Sequence, residues 1–217
     1  MNLDEIFSHP IGHLKALGIK ATYKIGAKCR EDELADAELK IGSSIPDDLR
    51  KLYLKSGNGA EFSWQESEDD NCHKFANLSI PDLESLIDLV SNWREKRFWS
   101  WTAKDFAGSS DPKLAKQTVQ RMKNWLPLFE EGNGDKFCIE IGDPRPSVVF
   151  HQHDWNDGGN GVNGLKVANS LGEFLQQWSK VCFLMPSNLW WPSVIGVQGI
   201  NWSSEKFDER YHLDPKK

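Results

Sequence analysis

The sequence predicts an α+β fold in which a central, mainly antiparallel sheet is flanked by helices. The first observation is the order of the patterns. Helical segments come first, strand segments follow in hairpin-like succession, and one helical segment closes the series. The second is that a regular alternation of strand, helix and strand, which parallel sheets require, is not evident. With 217 residues, the chain suits one domain with additional terminal segments.

The first part of the chain carries three helical patterns. We predict the first helix over residues 3–17, where Pro10 disturbs it. Residues 31–41 are rich in helix formers and stop at Gly42, a residue type that commonly follows a helix. Residues 46–56 are predicted to be a third helix, because their leucines and tyrosine fall on one face.

Two strands and a helix are predicted next. Residues 60–64 and 73–80 have the composition of strands, and they flank the acidic loop 65–71. Residues 81–98 then carry apolar side chains at the spacing of a helix that packs one side on a core. These side chains are Leu83, Leu86, Ile87 and Val90.

The second half is predicted to hold a helix, a hairpin, a further strand and a closing helix. Residues 102–112 are polar and are predicted to be a loop. The predicted segments after it are a helix at 113–124, hairpin strands at 136–141 and 147–153, a long loop at 154–164, a strand at 165–169 and a helix at 170–184.

Alternation in the first hairpin strand predicts that it is covered mainly on one side. Phe137, Ile139 and Ile141 fall on one face, whereas the residues between them fall on the other. Gly132 and Gly134 precede this strand and predict a tight turn with unusual backbone angles.

Charge and cysteine content limit the classes of function. The formal net charge is −6, whereas proteins that bind nucleic acid directly are usually basic, so we expect no nucleic-acid partner. The four cysteines form no CxxC pair, and the patterns around Cys138 and Cys182 predict buried thiols in a reducing compartment. Neither a signal-peptide pattern nor an apolar run of about 18 residues is present, so we expect a cytoplasmic protein.

The stretch from Trp125 to Gly142 crowds acids and glycines in the manner of a catalytic or phosphate-binding loop. A phosphate loop is not supported, because Asp135 follows Gly134 where a P-loop needs lysine. Its carboxylates could hold a metal or act as acid and base, but acids around a turn are usually solvated, so we expect no catalytic role. The carboxylates concerned are Glu130, Glu131, Asp135, Glu140 and Asp143.

Two histidines provide the main alternative chemistry. His151 and His153 lie two residues apart on a predicted strand, next to Asp154, and two imidazoles with one carboxylate can bind a transition metal. A further ligand at a convincing spacing is missing, so we expect no metal. Cys72 and His73 point to opposite sides of an extended segment, which does not favour Cys–His catalysis.

Three segments, in order, carry a resemblance to a known family. The first is ELKIGSSIPDDLRKLYLKSGNGAEF, the second is LSIPDLESLIDL, and the third is LPLFEEGNGDKFCIEI followed by SVVFHQHD, with VANSLGEFLQQW closing the series. On these motifs the chain resembles the SUKH superfamily, the group of bacterial immunity proteins and fungal cell-wall-assembly-regulator-like proteins. The matching residues of the first segment are Glu38, Gly42, Ile45, Pro46, Leu49, Tyr53, Asn58 and Gly59.

The resemblance covers about residues 28–183 and implies an α+β domain with no known catalytic constellation or cofactor. We therefore divide the chain into an N-terminal helical extension (1–27), a SUKH-like domain (28–185) and a Trp-rich C-terminal extension (186–217). Bacterial members look like immunity proteins that bind and neutralise a cognate secreted toxin, often a nuclease. We expect this function here, without an enzymatic activity. The alternatives are a regulatory scaffold of the fungal type and a metal-dependent hydrolase that uses His151, His153 and Asp154.

The predicted toxin contacts come from two loops that charge and exposure single out. An acidic, rigid scaffold suits a basic toxin surface. The acidic loop contributes Glu66, Glu68, Asp69 and Asp70. The loop after the second hairpin strand contributes Asp154, Trp155 and Asp157, with Trp155 as an aromatic anchor.

Overall fold

A computed structural model gives the fold and describes residues 1–66, 74–95, 112–130, 134–141, 146–153, 162–186 and 191–213. Within these residues the helices are α1 (Leu3–Ala16), α2 (Glu31–Ile41), α3 (Asp47–Lys55), α4 (Leu83–Glu95), α5 (Pro112–Met122) and α6 (Leu171–Ser179). The strands are β1 (Ala21–Ile25), β2 (Ala60–Gln65), β3 (Phe75–Ile80), β4 (Trp125–Glu130), β5 (Lys136–Glu140), β6 (Val148–His151), β7 (Lys166–Ala168), β8 (Ile195–Gly196) and β9 (Gly199–Ile200).

Two antiparallel sheets form the centre of the molecule. The first has the strand order β1-β2-β3 and the second the order β4-β5-β6-β7, while β8 and β9 form a short separate hairpin. Pro127 lies in β4, an end strand of the second sheet, where a residue without an N–H is tolerated. Helices with antiparallel sheets confirm the predicted α+β class.

Strand β1 is not predicted by the sequence patterns. Ala21–Ile25 pairs antiparallel with residues 60–64 of β2, so the N-terminal segment contributes a strand as well as helix α1. The three middle residues of β1 are all exposed, so the apolar–polar alternation that marks a half-buried strand is missing. Pro10 lies inside α1 and is buried there.

The closing helix ends earlier than predicted. Helix α6 stops at Ser179, and a turn follows in which Cys182 and the next residue have positive φ angles of 53° and 56°. Two buried indoles hold this turn: Trp64 donates to the carbonyl oxygen of Cys182 at 2.7 Å, and Trp178 donates to that of Leu184 at 3.1 Å. These hydrogen bonds favour the turn over a further helical turn.

The prediction that β5 is covered mainly on one side is wrong. Lys136 and Cys138, on the face expected to be open, are only 3% and 0% exposed. A second, small core covers that face with residues from α4, α5 and neighbouring strands. Its members are Trp93, Val119, Met122, Trp125, Cys138 and Val149. The predicted unusual backbone is present at Gly134, with φ 93°, whereas Gly132 lies outside the described residues.

Glu38 of the first family motif holds the connection between α2 and α3. Its carboxylate accepts hydrogen bonds from the backbone N–H of Ile45 at 2.9 Å and from Nη1 of Arg50 at 3.1 Å. Arg50 also pairs with Glu31 at the start of α2. The motif glutamate therefore has a structural role, since it fixes the connection between α2 and α3.

The C-terminal segment 191–213 packs into the main core. Trp191, Phe207 and Tyr211 are fully buried, at 0% exposure. The ring of Trp191 lies with its centroid 4.8 Å from that of Phe137 in β5 and 5.5 Å from that of Trp178 in α6. This segment therefore closes the same core that the second sheet and α6 form.

Candidate functional site

Most of the predicted toxin contacts lie outside the described residues. The segments that the structure leaves undescribed contain Glu68, Asp69, Asp70, Asp154, Trp155 and Asp157. Glu66 is described: it follows β2, and its carboxylate pairs with the guanidinium of Arg210 at 2.9 Å. The participation of all seven residues in partner binding stays a prediction.

Arg210 ties the C-terminal segment to the base of the acidic loop. Its guanidinium contacts the carboxylates of Asp208 at 3.0 Å and Glu66 at 2.9 Å, and hydrogen bonds to these two raise the pKa of Arg210. Lys74, at the other end of the loop, pairs with Asp208 at 3.2 Å. Charge-assisted hydrogen bonds thus fix both ends of the loop.

Acidification is expected to release this attachment. Burial alone would raise the pKa of Asp208, but hydrogen bonds from Arg210 and Lys74 outweigh it and lower the pKa to about 2, compared with about 4 for an unfolded Asp. A carboxyl group with a lowered pKa stabilises the fold fully above its unfolded pKa, and that contribution is lost as the pH falls from about 4 to about 2.

The measurement is urea unfolding of the wild type and of Asp208→Asn between pH 6 and pH 2. The variant should be less stable at pH 6, and the difference between the two proteins should shrink through the acidic window. Parallel stability curves over the whole range would show that Asp208 carries no such contribution.

One face of the β1-β2-β3 sheet is open to solvent. In β2, buried and exposed side chains alternate strictly, and β3 follows the same pattern except at its first residue, Phe75, which is apolar and partly buried on the outward side. Pairing places the exposed polar residues in two rows across the sheet. The rows are Thr22, Ser63 and Asn77, and Lys24, Glu61 and Ser79.

Two clefts lie along this face and a third adjoins the second; because they share lining residues we treat them as one surface, which we call the sheet groove. The first, of about 680 Å³, lies over Thr22, Gln65 and Phe75 and extends to Asn77. The second, of about 480 Å³, shares Asn77 and runs between β3, the N-terminus of α4 and β4. The third, of about 470 Å³, continues between α4 and β4 and shares Glu130 with the second.

Residues of the first family motif position α4 beside the groove. The hydroxyl of Tyr53 donates to the carbonyl oxygen of Pro81 at 2.9 Å, just before the helix. Oδ1 of Asn58 accepts from the backbone N–H of Leu83 at 2.8 Å, and Asp82 accepts from Ser85 N–H at 2.8 Å. These bonds satisfy N–H groups of the first helical turn and so fix the start of α4.

The described carboxylates among those considered for catalysis have partners within the fold. Glu130 pairs with the buried Lys136 at 2.5 Å. Glu140 accepts two hydrogen bonds from the guanidinium of Arg121, at 2.8 Å and 2.7 Å, and thereby links β5 to α5. Two of these acids, Glu131 and Asp143, lie outside the described residues.

The histidines considered for metal binding have separate neighbours. The buried ring of His151 packs edge-on against Trp93, with centroids 4.9 Å apart. Nδ1 of His153 lies 3.0 Å from the carboxylate of Asp135, which is fully buried and also accepts the His153 backbone N–H at 2.9 Å. Asp154 lies outside the described residues. Within the described part of the chain, no group of three His, Cys, Asp or Glu side chains could hold a metal ion.

The predicted burial of the thiols of Cys138 and Cys182 is confirmed, and Cys29 is buried as well. Burial raises the pKa of Cys182 to about 12 and, together with nearby carboxylates, that of Cys29 to about 11. These two thiols therefore stay protonated at neutral pH and are poor nucleophiles.

The groove residues are absent from the contacts predicted by sequence. A signal for them exists, since polar residues alternate with apolar ones in both β2 and β3. Alternation alone, however, predicts an exposed face and not a groove. The walls of the groove come from α4 and β4, which are distant in sequence from β1 and β2.

One protein-family model covers more than half of the chain. The model of the SMI1 / KNR4 family (SUKH-1) matches residues 28–177. No curated protein matches the chain at a significant level. Among the described residues, every helix is too short or too polar to cross a membrane.

Proposed function

The chain belongs to the SMI1 / KNR4 family (SUKH-1), and on this premise we propose that it is a non-enzymatic immunity protein. It binds a cognate secreted toxin and neutralises it inside the producing cell. Toxins of this kind are often nucleases, and a basic toxin surface suits a chain with a net charge of −6.

The sheet groove is the observation that carries this proposal. It joins two clefts on the exposed side of β2 and β3 to a third between α4 and β4, so it offers a partner contacts with both sheets and with α4. The acidic loop belongs to the connection between β2 and β3, and the last residue of β2, Gln65, and the first of β3, Phe75, both line the first cleft. The loop predicted to contact the toxin therefore leaves and re-enters the sheet beside the groove.

A regulatory scaffold, which binds signalling or cell-wall proteins instead of a toxin, is the second candidate. The same groove supports it, because a surface of this kind is not specific to toxins. The two candidates differ in the partner and in the consequence of binding, since only an immunity protein protects a cell from a lethal protein.

Co-expression tests the proposal directly. Where the gene upstream of the one for this chain encodes a secreted protein with a toxin-like C-terminal domain, that domain is expressed from an inducible promoter, with and without this chain. Growth should be restored only when the chain is present, and the two proteins should co-purify. A toxin that kills equally in both strains, or that does not bind, would reject the immunity function.

Charge reversal of the acidic loop should weaken toxin binding. Glu68, Asp69 and Asp70 are changed together to lysine, and we expect affinity and its dependence on salt to fall, because exposed charges act mainly through screened long-range attraction. The matched control reverses three exposed acids elsewhere: Glu5, Asp36 and Glu205. Equal effects of the two triple variants would show that only net charge matters and that the loop is not the contact.

A further inference from the structure

We propose that the sheet groove receives its partner as an extended, basic segment that adds as a strand to the free edge of β3. This inference rests on the proposed function, because it specifies how the same surface holds the toxin. Three independent features support it: the direction of the backbone groups on β3, the space beside that edge, and the charges of α4 around it.

The pairing of β2 with β3 fixes which backbone groups are free. The N–H of Glu66 donates to the carbonyl oxygen of Lys74 at 2.9 Å, so this opposed pair is a hydrogen-bonded one. Hydrogen-bonded pairs alternate with non-bonded pairs in an antiparallel ladder. In β3, Phe75, Asn77 and Ser79 therefore direct their N–H and C=O groups away from β2.

Those groups face an edge that no described strand occupies. Strand β3 ends the first sheet and β4 ends the second, and the two come close in space without pairing. The cleft of about 480 Å³ lies between them and is lined by residues 77–80 on one side and 128–130 on the other. A free edge beside open space is the arrangement used when an extended peptide adds to a sheet, where main-chain hydrogen bonds give affinity.

Charges around the groove favour a basic occupant. Asp82, just before α4, and Glu95, its last residue, line it, and neither has an ion-pair partner among the described residues. The other carboxylates of the groove are Glu61, which lies opposite Lys24 across the strands, and Glu130, which pairs with Lys136. Lys20 lines the first cleft, so four carboxylates of the groove stand against three lysines. Lysine or arginine side chains of an added strand would complement Asp82 and Glu95 and provide specificity.

A proline at position 77 distinguishes strand addition from binding through side chains on the same face. Because the N–H of Asn77 points away from β2, Asn77→Pro should leave the sheet paired, yet it removes the donor that an added strand needs. Asn77→Thr is the matched control, since it changes the side chain and keeps the N–H. The probe is the purified toxin domain of the co-expression test, titrated by calorimetry.

We expect Asn77→Pro to bind about tenfold more weakly or worse, and Asn77→Thr to stay within about twofold of the wild type. Hydrogen exchange on the wild-type complex provides a test that needs no variant. Binding should slow the exchange of the Asn77 and Ser79 amides, whereas the Leu78 amide, already directed at β2, should change much less.

A second pair of variants tests the charge. Glu95→Lys places a positive charge in the groove, whereas Asp88→Lys makes the same change at an exposed position of α4 that does not line it. We expect binding to weaken several-fold, by about 1 kcal/mol, for Glu95→Lys only.

The outcomes distinguish this inference from the proposed function. If the wild type binds the toxin domain and protects cells, but Asn77→Pro binds normally and the β3 amides stay unprotected, strand addition is rejected while the immunity function stands. If the wild type neither binds nor protects, both are rejected. Weakened binding of Asn77→Pro together with slowed amide exchange establishes the added strand.

Discussion

Replacement of Trp191 by alanine is expected to lower the free energy of unfolding by about 3–5 kcal/mol, the usual cost of truncating a buried aromatic residue. The side chain is 0% exposed. Its ring lies with centroids 4.8 Å from Phe137 and 5.5 Å from Trp178, so its removal opens a cavity between β5 and α6. Urea unfolding at pH 7 measures the change.

Trp202→Ala is the matched control, because it deletes the same side chain from the same C-terminal segment at a half-buried position. Its ring touches Phe207 at a centroid distance of 5.5 Å, but less of its surface is removed from water. We expect a loss of about 1–2 kcal/mol. Equal losses for the two variants would show that Trp191 is not a central part of the core.

A large loss of stability in Trp191→Ala would show that the folded unit extends beyond the residues that match the family. The residue lies beyond the range 28–177 that the family shares, yet it packs on the strand and helix that the family motif predicts. Tyr211 stacks on Trp64 of β2 at 4.7 Å, so the same segment also reaches the first sheet. A chain cut after residue 186 should therefore expose core residues of both sheets.

The helices could be predicted from sequence because their apolar residues recur at a period that one element alone determines. Helix α4 is the clearest example, since Leu83, Leu86 and Val90 are all buried as the spacing predicts. The family motif could also be recognised from the sequence alone. Glu38 holds the connection between α2 and α3 and Asn58 the start of α4, and Asn58 also lines the sheet groove, so motif residues build the scaffold and part of the groove.

The unpredicted features depend on contacts between residues distant in the chain. Strand β1 lacks alternation, and its position is set by its pairing with β2 about 40 residues later. The second face of β5 is covered by Trp93 and Met122, which periodicity within β5 cannot reveal. The sheet groove combines β1, β2, β3, α4 and β4, so no short sequence pattern contains it.

Gly26→Ala is expected to destabilise the protein by about 3 kcal/mol or more, because it forces two backbone segments apart. Gly26 follows β1 and packs against the backbone of the turn after α3. Its N–H donates to the carbonyl oxygen of Gly59 at 3.0 Å. A Cβ atom at Gly26 would overlap the carbonyl oxygen of Asn58, and one at Gly57 would overlap that of Gly26. Backbone atoms cannot rotate away as a flexible side chain can.

Gly12→Ala provides the matched control for the same chemical change. Gly12 lies within α1, and a Cβ atom there would meet nothing within 4 Å. Alanine is the better helix former, so this variant should gain about 0.5–1 kcal/mol. Opposite signs for the two glycines, measured by urea unfolding, are the expected result, and a loss below about 1 kcal/mol at Gly26 would contradict it.

The Gly26 variant should also weaken toxin binding if it folds. Asn58, which the new methyl group would displace, accepts the hydrogen bond from Leu83 N–H that fixes the start of α4. Helix α4 forms one wall of the sheet groove, so a shift of its N-terminus changes the distance between Asp82 and β3. A Cβ atom at Gly12 would meet nothing within 4 Å, so Gly12→Ala should bind as the wild type does. The close approach of two glycines therefore links the N-terminal strand, outside the family motif, to the geometry of the binding surface.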